Sequence, residues 1–528
     1  MKLTDIKSGS YNAAEWESKG YELPKFDIEA VARKTHDAPT WVHFGGGNIF
    51  RAFPAALLND ALNTGKYDRG VIVAETFDFE VVDKAYRPYD NLSLLVSLQS
   101  LGTIEKKVIA SVTESLKADY QFEDWARLVE IFKNPSLQMI SFTITEKGYS
   151  VAPADLERGL KPVLAMGKVC ALLLERYNAG KLPLTVQSMD NCSHNGDKVK
   201  AGVMAYAEKW VADGLVPADF LAYLKDESKI TFPWSMIDKI TPRPHVKVKE
   251  LLAADGFEDN DYIETEKHTF TAPFVNAEEV QYLVVEDNYT NGRPPLELGG
   301  TLYTTRETVD KVETMKVTTC LNPLHTAMSI YGVMLGYTLI SAEMADEDLR
   351  PFIQKIGYME AMPVVTDPGV LNPYEFIGAV INKRLPNPFM PDAPQRISTD
   401  TSQKLPIRFG ETIKKYVARG LDMNNLVLIP LTLAGYARFL KALDDDLQPF
   451  TPSSDPKLDE LMAIVAPLEI GKPDQDWSPL RKLFSRDDIF GINLYEAGLG
   501  EKIEGMVKEL YAGKGAVRAT LHKYTQAR

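Results

Sequence analysis

The chain of 528 residues carries only three cysteines, Cys170, Cys192 and Cys320. No two of them share a C-x-x-C spacing, so neither a disulfide framework nor a cysteine-ligated zinc site is supported, and a reducing compartment is expected. Long apolar runs are missing too: no stretch reaches the roughly 18 uninterrupted apolar residues of a membrane helix. The opening segment, MKLTDIKSGSYNAAEWESKGYELPKF, is mixed and polar and predicts no signal peptide. Basic residues are in deficit, 59 Lys and Arg against 73 Asp and Glu, for a formal net charge of −14. That balance argues against general binding to nucleic acid or to an anionic membrane, while leaving room for a local basic pocket. Repeats and low-complexity tracts are absent as well. What remains is an ordinary globular composition, 45% hydrophobic and 25% charged. The chain is too long for one core, since single cores seldom grow past about 250–300 residues. A cytoplasmic protein of two or more domains, monomeric or a small homo-oligomer, is expected.

The first half alternates strand and helix patterns. Thr40–Phe44 reads as a short buried strand, followed by the turn Gly45-Gly46-Gly47-Asn48-Ile49-Phe50-Arg51 and an apolar-periodic helix over 54–63. Pro54 suits the first helical turn, where its missing N–H is no loss. Gly70–Glu75 is a β-branched run ending in an acid. Strand, glycine turn, helix and strand make a dinucleotide-binding unit. A side chain at Gly45 or Gly47 would keep backbone N–H groups away from a pyrophosphate. Glu75 is placed to bond a ribose 2′-hydroxyl and to repel a 2′-phosphate, which favours NAD over NADP. The third glycine of G-x-G-x-x-G is replaced by Phe50. Asn48, Phe50 and Arg51 complete this candidate cofactor segment.

Further strands are expected at 92–96, 108–112, 139–145 and 182–188. The last two run into polar clusters, Glu146–Tyr149 and Met189–Gly196, on the carboxyl edge where open α/β sheets bind ligands. Thr145, Glu146 and Lys147 therefore join the cofactor candidates. The proline-rich stretch 232–244 predicts a rigid extended loop, and 281–287 another strand. A boundary near Thr305 separates an α/β domain, 1–305, from a helical one, 306–528. Helices are expected there at 326–337, 346–359, 374–385, 407–419, 426–444 and 500–512.

The segment 313–326 places a carboxylate, an amine, an amide and an imidazole close together in Glu313, Lys316, Asn322 and His325. An oxidoreductase using a nicotinamide needs a group that moves a proton while hydride is transferred. Lys316 is the candidate. The plainer reading is a surface lysine, an Asn-Pro helix start and a core histidine. A metal site through His194 and His325 lacks any H-E-x-x-H spacing, so no metal is expected.

The stretches GGGNIFRAF, TITEKGY, QSMDNCSHNG, FPWSMIDKITP, VVEDNYTNGRP, ETMK, LNPLHTAM and RISTDTSQKLPIR follow one another along most of the chain. In that order the sequence resembles the long-chain mannitol dehydrogenase family. The resemblance implies a metal-independent oxidoreductase of the α/β class, with a Rossmann-type NAD-binding domain followed by a mostly α-helical C-terminal domain. It makes Lys316 the general acid/base, Glu313 its proton path, Asn191 and Asn322 the amides that polarise the reacting oxygen, and His325 an orienting imidazole. Asp238, Arg396 and Lys404 would line the polar end of the substrate, with Asn195 beside them. The basic pair Arg396 and Lys404 suits an acidic sugar such as fructuronate or tagaturonate, since arginine matches a carboxylate bidentately. The expected reaction therefore interconverts a keto-uronate and an aldonate. A neutral polyol is the alternative substrate, and an NAD-binding sensor the non-enzymatic alternative. One more residue separates Lys316 from Asn322 than in the usual family pattern. In a continuous helix it would swing a side chain by about 100°. A helix start at Asn322-Pro323, or a local bulge, would absorb it.

Overall fold

The computed structural model describes residues 1–526. Its first unit, Met1–Asp310, is framed by six strands: β1 (Trp41–Phe44), β2 (Val71–Glu75), β3 (Val112–Lys117), β4 (Met139–Phe142), β5 (Leu184–Ser188) and β6 (Ile230–Thr231). They lie in the order β3-β2-β1-β4-β5-β6, and every neighbouring pair is parallel. This is the doubly wound nucleotide-binding order, with its switch point between β1 and β4. Alternation along the strands explains why both faces are covered. Val42, Phe44, Ile72, Ala74, Ile140 and Phe142 enter one core, while Trp41, Val71, Val73 and Met139 enter the other.

One strand expectation and one loop expectation need correction. The apolar run 108–112 is not one strand: Ile104–Ile109 pairs antiparallel with Ser93–Leu98 in an outlying sheet, and β3 begins only at Val112. The corner between them is held by the neighbouring helix, through Ala110 N–H to Asn59 Oδ1 (2.9 Å) and Ser111 Oγ to the Ala55 carbonyl (2.6 Å). The stretch 232–244 is extended as expected, but it is no free loop. Its centre forms β7 (Ser235–Asp238), antiparallel to β8 (Tyr282–Glu286), which also pairs with β9 (Leu302–Thr304).

Helices α1 (Asn48–Ala52), α2 (Pro54–Asn63) and α3 (Asn195–Ala212) follow the carboxyl edge of β1 and β5. The second unit begins at Lys311, inside α4 (Arg306–Met315). There the chain widens into a π-turn, Lys316–Cys320, and restarts as α5 (Asn322–Met334) with proline in its first turn. A local bulge and a helix start are thus both present between Lys316 and Asn322. The side chains of α5 are buried almost all round, which makes it a central helix. Against it pack α6 (Pro394–Ile397) and α8 (Leu428–Phe439); α7 (Thr401–Leu405) leads into a further π-turn, Pro406–Gly410, that packs on the Lys316–Cys320 turn.

Candidate active site

In the first unit, the turn after β1 is shaped by its glycines for two different reasons. Gly45 has φ +102°, and a Cβ there would sit 2.2 Å from the Thr143 carbonyl oxygen, so the fold itself demands glycine. Gly47 has φ −73°, and a Cβ there would meet no protein atom within 4 Å. Nothing in the protein requires glycine at 47. An approaching pyrophosphate would, because a methyl group would hold it off the turn. The cradle thus fits a dinucleotide at the switch point of the sheet.

Glu75 does not stand open at the end of β2. Its Oε2 accepts from Gly46 N–H (2.8 Å), and its Oε1 accepts from the N–H groups of Thr76 (2.9 Å), Phe77 (2.9 Å) and Asp78 (3.3 Å). Its established work is to tie the glycine turn to the end of β2, and any ribose contact must use lone pairs left over. Tyr86 adds a second tie, donating from its hydroxyl to the Gly46 carbonyl (2.8 Å). Phe50, read as a cofactor residue, is fully buried and stacks on His43 with ring centroids 4.1 Å apart. Its aromatic ring fills the core where the third glycine would have left space. Arg51 is also buried, donating to the Ala272 carbonyl (2.8 Å) and to Asn48 Oδ1 (2.9 Å), so both side chains are committed to the fold.

Beyond β4 and β5 the two polar clusters are joined by Asp190, which was not among the candidate residues. Its carboxylate accepts from Ile144 N–H (2.9 Å), Thr145 N–H (3.0 Å) and the Tyr149 hydroxyl (2.6 Å). Burial nonetheless lifts its carboxyl above the usual range, against those three donors. The clamp holds Thr145 at φ 63°, ψ 164°, a backbone region strained for a side-chain-bearing residue. Glu146 is exposed and pairs with Lys198 (2.6 Å), while Lys147 faces solvent. Asn191 is exposed at the start of the next loop, and Asp238 is buried at the end of β7. Asn195, expected to touch substrate, is fully buried. Its amide nitrogen donates to the Asp190 carbonyl (3.0 Å) and Ser235 Oγ (2.9 Å), and its oxygen accepts from Ser235 N–H (3.0 Å). It fastens the end of β5, α3 and β7 together.

In the second unit, Lys316 is the first residue of its π-turn and is buried, and Glu313 lies half-buried one turn earlier on α4. Asn322 and His325 share the first turn of α5. His325 is half-buried, with Nε2 shut from solvent and without a hydrogen-bond partner. Its pKa is lowered to about 4, chiefly by burial; Asp392 opposes the shift, while Arg408, Arg396 and Arg384 add to it. Lys404 donates to the Ile397 carbonyl (2.9 Å), and its pKa falls to about 8 through burial and then the nearby Arg408. Arg396 is 64% exposed in its side chain and pairs with Asp392. Arg408 donates to Thr326 Oγ1, beside His325, and burial lowers its pKa to about 10. The sequence reading missed Arg384 and Arg408. For Arg408 a signal existed: it closes the stretch that opens with Arg396, four residues after Lys404.

Among the described residues, no three His, Cys, Asp or Glu side chains gather as metal ligands. No helix of the described residues is long and apolar enough to cross a membrane.

Residues 39–298 match the mannitol dehydrogenase Rossmann domain, and residues 308–510 the mannitol dehydrogenase C-terminal domain. A D-mannonate oxidoreductase of Thermotoga maritima is 50% identical over 524 residues, 97% of each chain. Among solved structures, a D-sorbitol dehydrogenase in substrate-free form is 24% identical, with a TM-score of 0.78 over 95% of this chain and 97% of that one. A mannitol 2-dehydrogenase of Pseudomonas fluorescens, solved as a ternary complex with NAD and D-mannitol, is 23% identical with a TM-score of 0.69 over the whole of both chains. The chain belongs to the mannitol dehydrogenase family, with the family's Rossmann domain followed by its helical C-terminal domain.

Proposed function

We propose that the protein is an NAD-dependent, metal-independent oxidoreductase that interconverts a keto-uronate and an aldonate, fructuronate and D-mannonate. The observation that carries this reading is the 50% identity, over 97% of both chains, to a D-mannonate oxidoreductase. The open space above Gly47 supports a bound dinucleotide. When bound, NAD supplies the two-electron acceptor for the alcohol carbon, and NADH the donor in reverse. The residues supply the rest. Lys316 takes the hydroxyl proton through its amine as the alcohol becomes a ketone, and returns it to the oxygen in the reduction. Asn191 and Asn322 donate amide hydrogens to that oxygen as negative charge grows on it. Glu313 passes the proton between Lys316 and water. His325, neutral at physiological pH with its pKa near 4, orients a substrate hydroxyl without bringing a charge. Asp238 takes part at the polar end of the sugar.

The test is NADH oxidation with fructuronate, tagaturonate and fructose offered separately at equal concentration. The fastest turnover, by kcat/KM, is expected with fructuronate. A rate with fructose alone overturns the substrate assignment.

A further inference from the structure

Arg396 and Lys404 are the residues expected to recognise an acidic substrate, and the geometry redistributes that task. Arg396 is mostly exposed and already neutralised by Asp392. Lys404 spends a proton on the Ile397 carbonyl and titrates near 8, so its charge is incomplete in mildly alkaline solution. Arg408 differs from both. It is half-buried, and its one hydrogen-bond partner is the neutral hydroxyl of Thr326, leaving it without a carboxylate counter-ion. A guanidinium keeps its charge across the physiological range. Holding such a charge half-buried and unpaired costs stability. Retaining it makes sense if a ligand brings the missing anion. Thr326 fixes one edge of the fork beside His325, whose Nε2 also lacks a partner, leaving the remaining N–H groups to an approaching oxygen pair.

We infer that Arg408 is the residue that recognises the carboxylate of an acidic sugar, and so sets the preference for uronates over neutral ketoses. This rests on the proposed keto-uronate activity and names the group that selects that substrate class. A fork-to-carboxylate contact is bidentate and charge-assisted, so it acts mainly on substrate affinity. Lys404, while protonated, then adds a general positive charge at the same pole.

The test compares wild type with Arg408→Met and Arg408→Lys, using fructuronate and fructose with NADH and recording thermal midpoints. Arg408→Met is expected to raise KM for fructuronate by about 10- to 100-fold with a much smaller change in kcat. The ratio of kcat/KM for fructuronate over fructose should fall to match. Arg408→Lys keeps a point charge without the fork and should fall between the two. Removing an unpaired half-buried charge should leave the thermal midpoint of Arg408→Met at or above that of wild type. A lowered midpoint with equal losses on both sugars would make Arg408 a structural residue and overturn the inference. An unchanged KM for fructuronate would overturn it too. If Arg408→Met does not fold, the inference is overturned outright, since an unpaired charge cannot then be what Arg408 holds in place. Wild-type enzyme that reduces fructose but not fructuronate refutes the proposed activity instead; wild type that prefers fructuronate, with discrimination unaltered in the variants, refutes this inference alone.

Discussion

Gly47→Ala separates the cofactor cradle from the fold more cleanly than any other single substitution. The backbone at 47 has φ −73° and ψ −179°, which alanine adopts freely, and its new methyl group would meet no protein atom within 4 Å. The residue caps the short helix α1, so exchanging glycine for alanine there should cost about 0.5–1 kcal/mol. That is a shift of a few degrees in thermal midpoint at most. A ligand pressed onto the turn meets the methyl directly. Overpacking of that kind costs about 1–3 kcal/mol, or about 5- to 150-fold in Kd. NADH affinity is read by the fluorescence of the bound nicotinamide, and the midpoint by calorimetry. Gly45→Ala is the control. With φ +102° and 2.2 Å between the added Cβ and the Thr143 oxygen, it should lose about 3 kcal/mol or more of stability. If Gly47→Ala binds NADH as tightly as wild type, the dinucleotide does not lie on this turn and the cradle argument fails.

Three further outcomes follow from the second unit. Lys404 is charged below its pKa of about 8 and neutral above it. KM for an acidic sugar should therefore rise as pH passes upward through 8, and Lys404→Met should flatten that rise. His325, at about 4, should add no limb near pH 6.5 to the profile of kcat/KM; a limb there that His325→Asn abolishes would contradict its neutral role. For stability, Glu360 accepts from the N–H groups of Val427 (2.9 Å), Leu428 (2.6 Å) and Ile429 (2.8 Å), capping α8 from a buried position. Glu360→Ala should lower unfolding free energy by about 3 kcal/mol, because three donors lose their acceptor at once. Urea denaturation checks it, and a loss below about 1 kcal/mol would mean water replaces the carboxylate.

Much of this was legible in residue order because the signals are local. The apolar runs around Val42 and Val186 and the β-branched run around Ile72 mark strands, and Pro54 and Pro323 mark helix starts. What escaped depends on partners far along the chain. Asn195 looks like any polar loop residue until Ser235, forty residues on, turns out to bond both ends of its amide. Glu75 ends a strand as a ribose-binding acid does, yet the chain reversal after β2 brings three N–H groups back onto it. The corner at Ala110 and Ser111 carries no glycine or proline, since helix α2 holds it from outside. The distinction of Arg408 lies in what does not face it, and composition cannot show a missing counter-ion.

Lys316→Ala, assayed at neutral pH, tests the central claim most directly. NADH binding should stay within about threefold of wild type, since the turn proposed to cradle the nucleotide belongs to the first unit. Turnover of fructuronate should fall by about 10²- to 10⁴-fold for loss of the proton-transferring group. Fructuronate reduction at the wild-type rate by a chain lacking that amine would contradict it.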